Sequence, residues 1–346
     1  MPRRVIRQYR SFHQAGAGRL ARFGFWLALA ALASPHEATA QAPAPIEIAA
    51  KTLPAFMPSS PQETRFGALR YLGGLVLASN DSRFGGISGM TLSPDGRDLV
   101  MVTDTGDWIT GQIRYEGERP VAIDDAVLGP LLDGKGRALA PKEEADAESI
   151  TRLPGGDLIV GFERHHRILR FGADLSAAAP STVFARSRWM AGLPGNRGLE
   201  ALAPLPDGQI VAFAERALDG TGNHSGWLLG PTGALAGAFH IRRRGGFDIT
   251  DAAMAPDGTL FLLERYYSKP IHLETAIRRI DPGRLLSGEP VDGEVLLQAD
   301  RSAVIDNMEA IAVHQGPNGR PVITIMSDDN FNFLQQTVLL QFEVVR

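Results

Sequence analysis

Hydrophobic residues in this chain recur in short runs that are separated by turns, without the 3.6-residue period of amphipathic helices. After residue 64 each run ends at a segment that contains glycine or proline, a pattern typical of β-strands joined by tight turns. The chain has 38 glycines and 23 prolines among its 346 residues, too many for long helices. The pattern therefore predicts an all-β fold.

One arrangement of residues returns five times along the chain. In each copy a small or acidic residue opens an apolar segment, a Gly-containing turn follows, and a second apolar segment ends at an acid. The opening residues are Ser88, Glu148, Glu200, Asp251 and Glu309, and the closing residues are Asp104, Glu163, Glu215, Glu264 and Asp328. Successive opening residues lie 60, 52, 51 and 58 positions apart, a spacing that suits the four-stranded blades of a β-propeller.

The length of the repeat predicts the number of blades. About 306 residues follow residue 40, and at about 51 residues per copy they form six blades, with five or seven as alternatives. Residues 66–79 and 338–345 lie outside the repeated hairpins. We expect these N- and C-terminal strands to close the propeller.

Antiparallel pairing predicts where the acids lie. Because opposite residues in a hairpin have a constant sum that the turn sets, the opening and closing residues of each copy come together at one end of a blade. All blades present that end to the same mouth of the ring, so nine carboxylates should converge there. They are Asp104, Glu148, Glu163, Glu200, Glu215, Asp251, Glu264, Glu309 and Asp328.

Such a concentration of like charge needs compensation, and two kinds are available. Ca²⁺ prefers six to eight oxygen ligands, and the predicted metal ligands are Glu148, Glu200, Asp251, Glu309, Asp328 and Asp104. Three arginines directly follow closing acids and are predicted to hold a negatively charged substrate: Arg164, Arg216 and Arg265. Glu163 and Glu264 are predicted to position or deprotonate water. Alternatively, the acids accept backbone hydrogen bonds and the Glu-Arg pairs only link blades.

Composition and charge exclude several classes of protein. The chain has no cysteine, which rules out disulfides, thiolate metal sites and cysteine nucleophiles. Its net charge is −4, but the first forty residues hold six arginines and one acid, so the remainder carries 29 basic and 38 acidic residues. We expect no binding to nucleic acid, because phosphates would repel such a body. The sequence lacks the Gly-x-Ser-x-Gly motif of serine hydrolases and the complete Gly-x-x-x-x-Gly-Lys-Ser/Thr motif of nucleotide-binding loops, because Gly136 follows Gly134-Lys135 where that motif requires Ser or Thr.

The first forty residues predict export. An arginine-rich start precedes an apolar run over residues 23–33 and the small residues Ala38-Thr39-Ala40, as in a secretory signal peptide. The run is too short for a bilayer core of about 30 Å. We predict a signal peptide at 1–40 that is cleaved after Ala40, an extended Pro/Ala-rich leader at 41–63 and a propeller domain at 64–346. The mature chain would be periplasmic or secreted, with no stable membrane span.

Eight short motifs in order carry a family resemblance. They are Gly85-Gly86-Ile87-Ser88-Gly89, Asp146-Ala147-Glu148, Gly161-Phe162-Glu163-Arg164, Asn196-Arg197-Gly198-Leu199-Glu200, residues 251–258, Leu263-Glu264-Arg265, Asp306-Asn307-Met308-Glu309 and Ser327-Asp328-Asp329-Asn330-Phe331. Together they resemble the bacterial phytase-like family, described as "esterase-like activity of phytase", over about residues 64–346. The resemblance implies hydrolysis of a phosphoester or ester by an exported β-propeller.

The sequence therefore predicts a phytase-like or esterase-like hydrolase with Ca²⁺ at an acidic central mouth, acting on a small anionic or ester substrate. Two alternatives stay open, and no protein partner is predicted. One is a non-catalytic periplasmic binding or scaffold propeller with structural calcium. The other is a lactonase, because the strand starts also resemble the gluconolactonase and paraoxonase-like hydrolases, where Glu, Asn and Asp hold a central calcium.

Overall fold

A computed structural model describes residues 42–268 and 272–345. The predicted signal peptide and its cleavage position after Ala40 lie outside these residues. Within the described ranges, no helix has both the length and the apolar character that crossing a membrane requires.

The described chain consists almost entirely of antiparallel strands, which confirms the all-β prediction. Helical structure in these ranges is limited to one short α-helix, α1 (Lys142–Ala145), and three 3₁₀ turns at Leu175–Ala177, Met190–Gly192 and Pro282–Arg284. The strands, in chain order, are β1 (Ala44–Pro45), β2 (Ala49–Leu53), β3 (Arg65–Phe66), β4 (Leu69–Ala78), β5 (Ile87–Leu92), β6 (Asp98–Thr103), β7 (Asp107–Glu116), β8 (Arg119–Pro130), β9 (Ala147–Arg152), β10 (Leu158–Phe162), β11 (Arg167–Phe171), β12 (Thr182–Ala185), β13 (Leu199–Pro204), β14 (Ile210–Leu218), β15 (His224–Leu229), β16 (Leu235–Ile241), β17 (Asp248–Met254), β18 (Leu260–Ser268), β19 (His272–Ile280), β20 (Glu294–Asp300), β21 (Asn307–Gln315), β22 (Pro321–Asp328) and β23 (Thr337–Val344).

These strands form the five blades of a β-propeller. Blade 1 has the strand order β5-β6-β7-β8-β1, blade 2 β9-β10-β11-β12, blade 3 β13-β14-β15-β16 and blade 4 β17-β18-β19-β20. Blade 5 has the order β21-β22-β23-β4-β2, with β3 paired to β4. Each of the strands β5, β9, β13, β17 and β21 packs against the next in this series, and β21 packs against β5. These five inner strands surround a common axis.

The prediction of six blades was wrong. The five copies of the repeat are the five blades, and the terminal strands assigned to a sixth blade join the fifth. Strand β23 pairs with β4, from Thr337 opposite Leu77 to Val344 opposite Leu69, so strands from both ends of the described chain lie in one sheet. The estimate of about 51 residues per blade overlooked the long loops and the terminal segments, which lengthen the chain without adding a blade.

Residues from the predicted leader also take part in the sheets. Strand β1 extends the outer edge of blade 1 through pairing with β8, and β2 extends blade 5 through pairing with β4. Phe56, in the segment after β2, is 1% exposed. These additions cover strand edges that would otherwise be open to pairing with other chains.

Five apolar clusters fill the spaces between neighbouring blades. One contains Val102 of blade 1 and Leu158 of blade 2, and the next three join blades 2 and 3, 3 and 4, and 4 and 5. The last joins Leu339 of blade 5 to Ile109 of blade 1. Every blade therefore buries both faces against its neighbours, as a blade must because an isolated sheet would leave its apolar faces in water.

Replacing Phe342 with alanine tests how far the meeting of the two chain ends stabilises the propeller. Phe342 is fully buried on β23 opposite Tyr71 of β4, and its ring lies 5.1 Å from that of Phe56. We expect Phe342→Ala to lower the free energy of unfolding by about 3–5 kcal/mol, because it leaves a cavity in this cluster. Urea unfolding measures the change.

The matched control is Val183→Ala. Val183 is 64% exposed at an outer strand, so its truncation should change stability by less than about 0.5 kcal/mol. Equal effects of the two substitutions would contradict the proposed contribution of the chain ends.

Candidate functional site

A β-bulge opens the inner strand of every blade. In each blade the pairing with the second strand skips one residue, so that two residues on the inner strand face one on its partner. The skipped residues are Ser88, Glu148, Glu200, Thr250 and Glu309. The bulge frees these residues from the regular alternation and places them at equivalent positions at one end of the axis.

The second strand of each blade brings another residue to the same end. In the first three blades the N–H of this residue donates to the carbonyl that precedes the inner strand, over 2.9 Å. In blades 4 and 5 the equivalent residues are paired with the first residue of the inner strand. The five residues are Asp104, Glu163, Glu215, Arg265 and Asp328. Blade 4 thus supplies an arginine where the other blades supply a carboxylate.

The prediction for blade 4 was displaced by one residue. Thr250 and Arg265, not Asp251 and Glu264, occupy the opening and closing positions. Successive residues on a strand face opposite sides, so this displacement turns Glu264 away from the mouth. The opening and closing residues lie 15 positions apart in blades 2 and 3, as do Thr250 and Arg265, whereas Asp251 and Glu264 lie 13 apart. The 15-residue separation in the two preceding blades was the signal that could have located the pair.

Asp251 and Glu264 instead hold the scaffold together. The Asp251 carboxylate accepts hydrogen bonds from the N–H groups of Ala252 (2.7 Å) and Ile311 (2.8 Å), so it joins β17 to β21. Glu264 is buried and pairs with the guanidinium of Arg278, which is also fully buried. Neither residue is placed to serve as the predicted metal ligand or base.

Seven of the nine predicted carboxylates do gather at the mouth, and Asp146, which precedes β9, joins them. Their charges act on one another around the axis, with Arg265 between Glu215 and Glu309. We define the acidic mouth as Asp104, Asp146, Glu148, Glu163, Glu200, Glu215, Arg265, Glu309 and Asp328.

Crowding and burial change the protonation of the mouth. Burial, followed by the charges of neighbouring carboxylates, raises the pKa of Glu148 and of Glu200 well above the ordinary value. Burial likewise raises the pKa of Asp328 to about 8, although the N–H of Asn330 opposes the shift. The pKa of Glu309 is also raised by burial, against the attraction of Arg265. These carboxyls therefore retain protons more readily than ordinary ones.

Glu163 and Glu200 are neighbouring carboxyl groups that affect each other's protonation. Burial raises the pKa of Glu163, while Glu200 and the N–H of Gly198 oppose the rise. Burial and the charges of Glu148 and Glu163 raise the pKa of Glu200. Of the two, Glu200 is therefore the carboxyl group whose protonation its surroundings favour more strongly.

Three carboxylates of blade 2 are close enough to bind one cation. One oxygen each of Asp146, Glu148 and Glu163 lies within 4.8 Å of the others. No described residue donates a hydrogen bond to Glu148, and Oδ1 of Asp104 is enclosed without a partner among these residues. An all-oxygen donor set of this kind suits a hard divalent cation. The sequence motif Asp146-Ala147-Glu148 contained Asp146, but its role as a possible ligand was missed.

Every arginine predicted to hold an anionic substrate is paired with a carboxylate. Nε of Arg164 lies 2.5 Å from Asp146, and Arg216 pairs with Asp248 at the start of β17. Arg265 contacts Glu309, Oε1 of Glu215 at 2.9 Å and Oδ1 of Asn307 at 2.5 Å.

These contacts keep the guanidinium of Arg265 protonated and positively charged. Burial alone would lower its pKa, but the attraction of Glu309, Glu215 and Glu200 outweighs burial and raises it. The three arginines thus neutralise the protein's own carboxylates.

Gly86 adapts the backbone at the edge of the mouth. Its φ of +60° lies in the left-handed region, and a Cβ at this position would overlap Oδ1 of Asp104 and the ring of Phe331. Glycine avoids both the strained backbone conformation and the steric overlap, because it has no Cβ. Its N–H donates to Asp329 over 3.1 Å, which fixes the loop after β22 beside Asp104.

Solved structures with a similar fold share little sequence with this chain. An α-L-arabinofuranosidase from Podospora anserina, solved with cellotriose, is 11% identical with a TM-score of 0.47, covering 80% of this chain and 97% of that one. A luciferin-regenerating enzyme is 12% identical (TM-score 0.40, covering 77% and 96%), and a glucose dehydrogenase is 13% identical (TM-score 0.44, covering 74% and 96%). Such distant similarity carries no information about substrate.

Sequence comparison identifies the family. No curated protein is significantly similar to this chain. The family model for phytase-like proteins, described as "esterase-like activity of phytase", matches residues 82–331, which include all nine residues of the acidic mouth. The match confirms the resemblance predicted from the eight motifs, and the chain belongs to the phytase-like family.

Proposed function

We propose that this protein is an exported hydrolase of a phosphoester or carboxylic ester, with Ca²⁺ bound at the acidic mouth. One observation carries the proposal: Asp146, Glu148 and Glu163 bring carboxylate oxygens within 4.8 Å of one another, inside the mouth of a propeller of the phytase-like family. A periplasmic or extracellular location belongs to the same proposal, on the strength of the N-terminal sequence.

Asp146, Glu148 and Glu163 would hold the cation, and the surrounding residues fix two of them. Arg164 and Lys142 contact the two oxygens of Asp146 over 2.5 and 2.9 Å, and the N–H of Gly198 donates to Glu163. Glu148 has no such partner and supplies the uncommitted carboxylate. When bound, the ion would polarise the carbonyl or phosphoryl oxygen of the substrate.

Glu200, which neighbours Glu163, is suited to moving protons during hydrolysis. For a carboxylic ester, the oxygen of water forms a bond to the acyl carbon, and the bond from that carbon to the alcohol oxygen breaks. Ionised Glu200 takes a proton from the attacking water and then gives it to the departing alcohol oxygen. The products are a carboxylic acid and an alcohol, and Glu200 ends ionised, as it began. Glu200 replaces the two predicted bases in this role, because Glu163 would hold the cation and Glu264 is bound to Arg278.

Replacing Glu148 with glutamine tests the metal site. We expect Ca²⁺ to stabilise the wild-type protein by about 2.7 kcal/mol at one hundred times its dissociation constant. In Glu148→Gln the affinity for Ca²⁺ should fall at least about tenfold, because an anionic ligand is lost. Calorimetric titration and thermal unfolding, with and without chelator, measure both effects.

The control for this substitution is Glu294→Gln. The Glu294 side chain is 56% exposed and pairs with Arg279, away from the mouth, so Ca²⁺ affinity should not change. In chelator, Glu148→Gln should be at least as stable as the wild type, since it removes one like charge. Unaltered Ca²⁺ binding by Glu148→Gln would contradict the site. Calcium stabilisation without turnover of phosphate esters, carboxylic esters or lactones would favour the non-catalytic propeller.

Replacing Asp328 with asparagine tests the electrostatic crowding through pH. An acid whose pKa is raised in the folded protein destabilises that state as pH rises from the unfolded value, 3.8 here, to the folded value of about 8. Asparagine does not titrate and keeps an oxygen that can accept from the N–H of Asn330. We therefore expect Asp328→Asn to be more stable than the wild type at pH 8, with a smaller difference at pH 5. Urea unfolding in chelator measures this, and a difference independent of pH would refute the explanation.

A further inference from the structure

Exposed apolar side chains are concentrated at the mouth end of the propeller. Among the described residues, eight large hydrophobic side chains are exposed, and five of them lie at the hairpins that join the second and third strands of blades 3, 4 and 5. Each of the five follows the closing residue of its blade by two to six positions, so it lies at the same end of the axis as the acidic mouth. They are Leu218, Tyr267, Phe331, Phe333 and Leu334.

Phe331 is the exposed aromatic residue that lies against the acidic mouth itself. A Cβ on Gly86 would lie 2.4 Å from Oδ1 of Asp104 and 2.6 Å from Cε2 of Phe331, so these two atoms are at most 5.0 Å apart. The edge of an aromatic ring carries partial positive charge, which favours its position beside a carboxylate. Asp104 in turn shares Lys142 with Asp146, over 2.7 and 2.9 Å. Phe331 therefore lies one carboxylate away from the proposed metal ligands.

Two glycines form the surface on which the Phe331 ring rests. A Cβ on Gly85 would come within 2.9 Å of this ring, and one on Gly86 within 2.6 Å. Carbon atoms in contact stay about 3.5–4.0 Å apart, so the ring can lie here because neither residue has a Cβ. The residue nevertheless stays 47% exposed. Beside the carboxylates, the ring therefore leaves an apolar surface open to a ligand.

Hydrogen bonds and backbone conformation hold the ring in this position. Asn330 and Phe331 have φ values of +48° and +49°, in the left-handed region that residues other than glycine rarely adopt. The side chains of Asp328 and Asp329 accept hydrogen bonds from these two N–H groups, over 2.7 and 3.0 Å. Asp329 also accepts from the hydroxyl of Thr337 over 3.0 Å. Such strain persists only where surrounding contacts impose it, and it is typical of ligand-binding loops.

We propose that Phe331 determines substrate specificity by binding an apolar group attached to the scissile ester. This inference rests on the proposed hydrolase function and adds a subsite to it. When the ester group lies at the proposed cation on blade 2, its substituent can extend past Asp104 to the exposed part of the ring, where burial of apolar surface is favourable. An alkyl or aryl group suits this surface in a phosphoester and in a carboxylic ester alike.

Matched esters of two alcohols measure the preference. Calcium-loaded protein is assayed with methyl and 3-phenylpropyl acetate, and with methyl and 3-phenylpropyl phosphate. Water adds across the ester bond in every case and releases the acid and the alcohol. The two alcohols are similar leaving groups, so the esters of one acid differ chiefly in apolar surface. For the acid whose esters are hydrolysed, we expect kcat/KM to be at least about tenfold higher for the phenylpropyl ester.

Replacing Phe331 tests whether its ring causes this preference. We expect Phe331→Ala to lower the ratio of the two kcat/KM values to less than about threefold, and Phe331→Tyr, which keeps a ring, to preserve it. If Phe331→Ala does not fold, Phe331→Asn permits the same comparison, because asparagine tolerates a positive φ.

The matched control is Phe333→Ala. Phe333 is the same residue type two positions along the loop, and it is 93% exposed. Its truncation should leave the ratio within about twofold of the wild-type value. A wild-type preference that folded Phe331→Ala or Phe331→Asn retains, or that Phe333→Ala abolishes equally, would overturn the inference.

Binding of an inert analogue separates this inference from the proposed function. N-(3-phenylpropyl)acetamide keeps the carbonyl and phenylpropyl groups of the acetate but resists hydrolysis, and N-methylacetamide lacks the apolar group. We expect NMR titration to give a dissociation constant at least about tenfold lower for the phenylpropyl amide in the wild type and in Phe333→Ala, but not in Phe331→Ala. If this pattern appears and no ester is hydrolysed, the hydrolase proposal fails while the apolar subsite stands. The inference is overturned if the wild type prefers the phenylpropyl compound in neither assay.

Discussion

Repulsion among carboxylates at one end of the propeller axis is the constraint to which the rest of the site responds. Eight acids from blades 1, 2, 3 and 5 meet there because each inner strand begins with the same bulge. The structure relieves the repulsion in three ways. Burial favours protonation of carboxyls such as Asp328, Lys142 of α1 and Arg164 after β10 supply positive charges, and blade 4 contributes Arg265. Within the blade 2 trio, Asp146 is compensated by Lys142 and Arg164, whereas no described residue donates a hydrogen bond to Glu148.

The bulges explain how the sequence repeat brings side chains to the acidic mouth. A regular strand would alternate its side chains between two neighbouring blades, whereas the skipped residue at each bulge leaves the ladder and is directed elsewhere. What the skipped residue contacts depends on its side chain. Ser88 and Thr250 donate to carbonyls of the next inner strand, over 2.5 and 3.2 Å, and therefore link blades. An ionised glutamate has no proton to donate to a carbonyl, and Glu148, Glu200 and Glu309 lie half-buried in the mouth.

The sequence predicted the all-β propeller and the meeting of acids from distant parts of the chain, because both follow from hairpin geometry. It did not predict the number of blades or the register of blade 4, because short-range sequence patterns determine neither. The number of blades depended on whether the terminal strands form a blade of their own or complete another, which long-range pairing of β4 with β23 decides. The opening and closing positions of blade 4 depended on a one-residue register, and a choice of acids over the 15-residue separation of blades 2 and 3 selected Asp251 and Glu264 in place of Thr250 and Arg265. Both Asp146 and Arg164 lie in the quoted motifs, but their pairing depends on how the segment before β9 lies against the end of β10, which sequence motifs do not specify.

The departure of blade 4 from the repeat explains how the charges of Glu215 and Glu309 are compensated. An acid in place of Arg265 would remove the cationic side chain that contacts both carboxylates. Arg265 places between them a positive charge that is always present, because its neighbours raise its pKa. Among the described residues, the carboxylates close enough to share a cation are Asp146, Glu148 and Glu163 on blade 2. Arg265 thus compensates the carboxylates of blades 3 and 5, whereas Glu148 on blade 2 keeps a carboxyl group to which no described residue donates a hydrogen bond.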